Sequence, residues 1–368
     1  MVSRKAQLAL CGVVMFAVSA PALAGHYEAG QRAYEKRDYA VALREWQAGA
    51  DAGELESGYE LAIMYRDGEG VPQDKAKFFA LARRAAEAGY YLAQENMVAS
   101  YHQGIGVKAD DAEATRWVRR RAEQGDSKAM RDLAWALRTG TGVALDKAAA
   151  AEWYERSFLY DDFNPAVVPH IEWDKYPASA VTYDELVEKG DLPKPDLKAR
   201  FRATLARADA GDGDGEAQFE VAMMYLIARG AKADRAKMVE YLRKAADQGH
   251  AMAQLRLANT YIQGIGGNPV DEKKAAYWLY QAALQKNPFA VSLLGASYWG
   301  ARGVAEDRTL GNALMAVGAF YGDRELARMV RRRRVDGPPD AVDASDAIAY
   351  KCFAQGMRAC LPSAPDGP

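Results

Sequence analysis

Few residues in this sequence are spaced for chemistry. The four histidines, His26, His102, His170 and His250, are the natural metal ligands and general bases. None stands three or four residues from a second histidine or a cysteine, so no zinc site is readable on one helix face. Asp209, Asp212, Asp214 and Glu216 have the acidic density of a calcium loop. However, the sixth position from Asp212 is Ala217, not glycine, and the twelfth is Met223, not glutamate. Gly-x-Gly pairs recur, but each follows a helical pattern rather than a strand, which rules out a nucleotide loop. There is no G-x-S-x-G elbow, no phosphate loop ending in Lys-Ser/Thr and no C-x-x-C. No catalytic residue, metal or cofactor is assigned, and the chain reads as a non-enzyme.

The glycines belong instead to a repeat. Leu61-Ala62-Ile63-Met64-Tyr65 leads to Gly68, Gly70, Val71 and Asp74, and the same order recurs from Met97, Leu133, Leu257 and Leu294. A weaker copy surrounds Val221, Tyr225, Gly230 and Asp234. Tyr65 and Tyr101 are 36 residues apart (101 − 65), as are Tyr101 and Leu137, and Tyr225 and Tyr261. A fixed interval of this length is the signature of a helical array. The Leu, Ala and Tyr share one helix face. The glycines end that helix through positive φ, and the aspartate caps the next. The second helix carries Leu81, Trp117, Trp153, Tyr241, Trp278 or Leu314 seven residues after the aspartate, then ends at Ala-Ala-x-x-Gly. One such pair cannot bury its own apolar face, so pairs must stack. The expected fold is all-α: an α/α superhelical solenoid of stacked antiparallel helix pairs. Nearly half of the residues are hydrophobic (49%), which suits such a core, and a net charge of −2 argues against a general polyanion binder.

The pattern L-A-x-x-Y-x-x-G-x-G-V-x-x-D-x-x-K-A-x-x-W-x-x-x-A-A-x-x-G resembles the Sel-one-like repeat, a relative of the tetratricopeptide repeat. Gly30 to Gly53 resembles a preceding tetratricopeptide-type unit. The organisation read from this is a signal peptide at 1–24, that unit plus three repeats at 25–160, a proline-containing insertion or degenerate repeat at 161–207, three further repeats at 208–322, and a cap and tail at 323–368. Within the insertion one degenerate helix is read at Tyr183 to Lys189. It is either a loop along the solenoid edge or a ligand-contacting segment.

Met1 to Ala24 has a short basic start, an uncharged apolar run and Ala22-Leu23-Ala24, the marks of an export signal cleaved before Gly25. The run is too short to span a membrane. Removal of that segment leaves two cysteines, Cys352 and Cys360, and an even count in an exported protein suggests a disulfide. On one continuous helix they would lie about 12 Å apart, too far to bond. Gly356, matching Gly89 of the repeat, would turn the chain back. A cysteine-rich branch of the family bridges its repeats at this spacing, which implies a disulfide cap. Arg331 to Arg334 are either a solvated last turn or a contact for an anionic surface or polysaccharide.

The resemblance implies that the first helix of each pair lines the concave face, with positions two and five after the repeat's leading Leu pointing inward. Those residues are Ile63, Arg66, His102, Trp135, Arg138, Met223, Leu226, Asn259, Ile262 and Trp299. Trp135 and Trp299 either meet a partner, as interface hot spots do, or pack on neighbouring helices. Arg66 and Arg138 either sit in solvent or grip a carboxylate. The function this implies is a periplasmic or secreted scaffold for a protein or peptide of the cell envelope, with no nucleic acid and no membrane span. The alternatives are a binder of cell-wall or exopolysaccharide material and, from the cysteine-rich branch, a cell-wall-related or β-lactam hydrolase.

Overall fold

Aspartates start every second helix of the array, at intervals of 36 to 38 residues except for the 50 between Asp146 and Asp196. Asp38, Asp74, Asp110, Asp146, Asp196, Asp234, Asp271 and Asp307 each accept a backbone N–H from the first turn that follows. Capping of this kind contributes about 1 kcal/mol per helix. In the computed structural model, residues 26–160, 183–210 and 214–322 are described, with shorter stretches between 344 and 367. Residues 1–24, read as a signal peptide, residues 161–182 and the arginine run lie outside them.

The first helices of the pairs (A) and the second helices (B) alternate. They are α1 (His26–Glu35) with α2 (Tyr39–Ala52), α3 (Leu55–Asp67) with α4 (Lys75–Glu87), α5 (Tyr91–Gln103) with α6 (Asp111–Glu123), and α7 (Ser127–Thr139) with α8 (Lys147–Tyr160). After these come α9 (Tyr183–Glu188) and α10 (Leu197–Ala208), α11 (Gly215–Leu226) with α12 (Arg235–Asp247), α13 (Ala251–Gln263) with α14 (Glu272–Leu284), and α15 (Pro288–Trp299) with α16 (Arg308–Tyr321). A short α17 (Met357–Cys360) follows. No strand occurs among the described residues, and the chain is an all-α solenoid. From α1 to α16, α9 apart, each helix packs on a chain neighbour, and α17 packs on α14. The buried alanines Ala85, Ala86, Ala245, Ala246, Ala282 and Ala283 let adjacent axes approach.

Two local devices hold the helices together, one between units and one within a pair. Gly104 ends α5 in the left-handed conformation and donates to the Ser100 carbonyl. Two residues on, Gly106 lies against the first turn of α4 so closely that a Cβ would sit 1.8 Å from the Lys75 carbonyl oxygen. Lysines three residues after the cap close the second contact. Lys77, Lys237 and Lys274 place their ammonium groups over Tyr65, Tyr225 and Tyr261 at 4.7, 5.3 and 5.6 Å, within cation–π range.

Of the two readings of 161–207, insertion or degenerate repeat, the described part has the features of a repeat. Gly190 and Asp196 keep the six-residue spacing of Gly68 and Asp74, and Gly190 likewise has positive φ. Asp196 caps α10, and Gly230 of the next unit approaches the Leu197 carbonyl as Gly106 approaches Lys75. Thus α9 and α10 hold the places of a fifth pair, and the single helix expected there is corrected to two. Position 192, where the other units have the stacking glycine, is a buried leucine. A Cβ cannot approach the preceding helix as glycine does. Instead Asp191 bridges back, with Oδ1 2.7 Å from Lys147 Nζ and Oδ2 2.5 Å from Arg138.

The array also meets itself. Phe320, near the end of α16, stacks on Tyr90 at 4.2 Å between ring centroids, and both are buried. The neighbouring Gly322 lies against the Tyr91 ring. The same ring carries the buried Arg121 guanidinium at 4.4 Å. Gly125 similarly reaches Tyr160 and Met252. These residues all sit where a B helix turns into the next A helix. The turns of early units therefore face those of late units and close one edge of the array.

Candidate interaction surface

The inward positions read from the repeat fall at the middle and end of the A helices, away from the closed edge. Three apolar side chains remain open there: Trp135 on α7 (45% exposed), Ile262 on α13 (41%) and Trp299 on α15 (40%). A solenoid core gains nothing from leaving two tryptophans in water, and exposed aromatics of this kind mark interaction sites. Trp299 has the Arg308 guanidinium 5.1 Å from its ring.

The remaining candidates divide. Ile63, Leu226 and Asn259 are half-buried, the first two against the core. Met223 is a correction: it is 1% exposed, inside the core. Its helix α11 is buried nearly all round, because it meets α8 as well as its chain neighbours. His102 is exposed and pairs with Asp111 at 2.7 Å. Arg66 forks onto the adjacent Asp67 and lies 5.9 Å from the Phe78 ring. Arg138 grips the chain's own Asp191.

Sequence reasoning missed the acidic and basic groups that join the two halves. Glu155 of α8 receives both forks of Arg229 at 2.5 and 2.6 Å. Glu216 of α11 accepts from Arg156, from Tyr160 at 2.5 Å and from His250 at 3.0 Å. The His250 Nδ1 accepts the Ala253 N–H as a helix cap, which leaves Nε2 to carry the proton and donate to Glu216. Burial alone would raise the Glu216 pKa, but His250, Arg156 and Tyr160 outweigh it and hold the carboxyl at about 2. Nearby Glu220, buried and 3.7 Å from Arg156, is pushed the other way by burial. A spatial cue existed only in the register of the fifth pair, which prolines conceal.

A shallow depression of about 430 Å³ lies elsewhere, between α12 and Gly266 to Asn268, walled by Glu240, Arg243, Lys244 and Asp247. No A-helix candidate lines it. Among the described residues no group of three His, Cys, Asp or Glu could hold a metal ion, and no helix is long and apolar enough to cross a membrane.

Comparison with known proteins places the repeat. The Sel1 repeat matches residues 56–90, 91–126, 127–158, 215–250 and 251–287. A curated relative, the uncharacterized protein NMB1327 of Neisseria meningitidis serogroup B, is 33% identical over 94 residues, 26% of this chain. The chain spans only 19% of that relative's length. Among solved structures, c5321, a protective antigen of uropathogenic Escherichia coli strains displaying an SLR fold, is 21% identical. The match covers 93% of this chain and 88% of that one, at a TM-score of 0.34. A Sel1 repeat protein from Oxalobacter formigenes is 22% identical, with 80% and 96% covered and a TM-score of 0.32. The fold rests on the helix pairs themselves, not on these superpositions.

Proposed function

We propose that this chain, which belongs to the Sel1-repeat proteins, is an exported scaffold that holds a polypeptide partner of the cell envelope along its A helices. Sel1 repeats generally mediate protein–protein interaction. The observation that carries the reading is the exposure of Trp135, Ile262 and Trp299 at positions that stacking does not need. Ile262 and Trp299 each stand five residues after the leading Leu of successive units and form a short row, and Trp135, two residues after its own leading Leu, adds an anchor on an earlier A helix. Large rigid side chains of this kind supply contact area at little entropic cost. Export rests on the apolar run and Ala22-Leu23-Ala24 at the start of the chain.

The row has a polar component that limits what it can bind. Arg138 is already neutralised by Asp191, and Arg66 by Asp67. The surface therefore offers aromatic and aliphatic anchors within a rim of satisfied charge, the arrangement of a protein interface. A Trp135→Ala, Trp299→Ala double variant keeps the repeat core. A pull-down from envelope extract with wild type and variant tests the assignment. Loss of the captured polypeptides in a variant of unchanged helicity is expected. Full retention would move the binding face elsewhere, and capture of glycan without polypeptide would favour a saccharide binder.

A further inference from the structure

The outer face of α14 differs from that of the B helices before it. Six residues after the capping aspartate, the earlier units place Arg44, Ala80, Arg116, Glu152, Arg202 and Glu240, all exposed. In α14 this position is Tyr277, and three residues on, where α4 and α12 have the exposed Arg83 and Arg243, stands Tyr280. Tyr277 is half-buried and Tyr280 buried. What covers them is the C-terminal segment of the same chain. The Tyr280 hydroxyl donates to the Pro362 carbonyl at 3.0 Å, and Gly367 lies against the Tyr277 ring. Ala349, Cys352, Met357 and Leu361 are buried in the core that α14 belongs to. Cys352 and Cys360 are joined, their Cα atoms 5.1 Å apart, so the docked segment is a closed ring.

We infer that this ring is a redox-sensitive clasp: thiol–disulfide exchange with a dithiol reductant releases the C-terminal segment and uncovers an aromatic face on α14. The pieces for such a step are in place. Cys352 is fully buried, whereas Cys360 is partly exposed, so Cys360 is the end of the bridge where an incoming thiolate would attack. Attack there forms a mixed disulfide and expels the Cys352 thiolate, which takes up a proton. The second thiol of the reductant then resolves the mixed disulfide, leaving two protein thiols and one oxidised reductant. The closed ring holds Cys352 and Met357 in one docking shape, with Leu361 directly after it. Opening it returns the segment's chain entropy, and the contact with α14 must then compete with a flexible chain. Tyr277 and Tyr280 have no charged substitute to solvate them once uncovered.

Limited trypsin digestion of the full chain, oxidised and after dithiothreitol, tests the clasp. Lys351 and Arg358 are exposed in the docked segment. Cleavage at the two sites should accelerate by on the order of ten- to hundredfold on reduction, as the loop-closure entropy of so short a ring implies. Helicity of the repeats should stay constant, and a hydrophobic dye should gain emission. The Cys352→Ser, Cys360→Ser double variant should behave as reduced protein in either condition. A Tyr277→Arg, Tyr280→Arg variant, which puts charge where α12 has the charged Glu240 and Arg243, should release the segment even when oxidised. Unchanged protection of Lys351 and Arg358 after reduction would overturn the clasp. So would loss of helicity throughout the array, which would make the disulfide a general staple of the fold.

Discussion

Glu216 concentrates on one carboxylate what the repeats elsewhere spread over many contacts. Its oxygens take up donors from α8, from the residue preceding α13 and from a tyrosine at the end of α8, so three units depend on its charge. Its folded pKa, about 2, lies below the ordinary 4.5. The stabilisation is therefore complete above about pH 4.5 and is lost as the pH falls toward 2. Glu216→Gln should cost roughly 1–3 kcal/mol at neutral pH and flatten the acid limb of the stability curve. Urea titrations across pH 2–7 read both effects, and parallel curves for the two proteins would show that the carboxylate bears no such load. At this scale the sequence was least informative. Glu155, Glu216 and Arg229 are ordinary surface residues in a one-dimensional reading, because their partners lie 74 or 60 positions away. Met223 was misplaced for the same reason, since only packing against α8 closes the face of α11.

The elements follow closely from local rules, and the reasons differ by position. The aspartate caps and the glycine ends are short-range chemistry, and they appear in the structure as the spacing predicts. The fifth pair was legible only as the degenerate-repeat alternative for 161–207, because its stacking glycine is Leu192 and prolines precede it, while its Gly190–Asp196 spacing was intact. The two kinds of repeat glycine make separable predictions. Gly106 needs both its positive φ, +71°, and the absence of a Cβ, whereas Gly89 at +98° has nothing within 4 Å. Gly106→Ala should lose about 2–4 kcal/mol because α4 must shift as well as the loop. Gly89→Ala should lose only about 1–2 kcal/mol, the cost of the backbone conformation. Equal shifts of the denaturation midpoint would contradict the close approach of Gly106 to Lys75.

For the whole molecule, the distinguishing feature is closure along one edge. Local periodicity predicts a stack, but it cannot predict that Phe320 reaches Tyr90, a contact set by the accumulated twist of the units between them. Phe320→Ala removes a buried ring worth about 3–5 kcal/mol from a contact that no neighbouring unit duplicates. The expected result is a larger radius of gyration by small-angle scattering with unchanged helicity, and an unaltered scattering profile would show that the edges are held otherwise. Closure at that edge leaves the ends of the A helices, with Trp135, Ile262 and Trp299, as the accessible side of the row. Photo-crosslinking from position 135, with position 240 on the outer face of α12 as control, tests the scaffold reading most directly. Polypeptide adducts from 135 in envelope extract, competed away by unlabelled wild type and absent from 240, are the predicted result. Equal adducts from both positions, or none from 135, would contradict it.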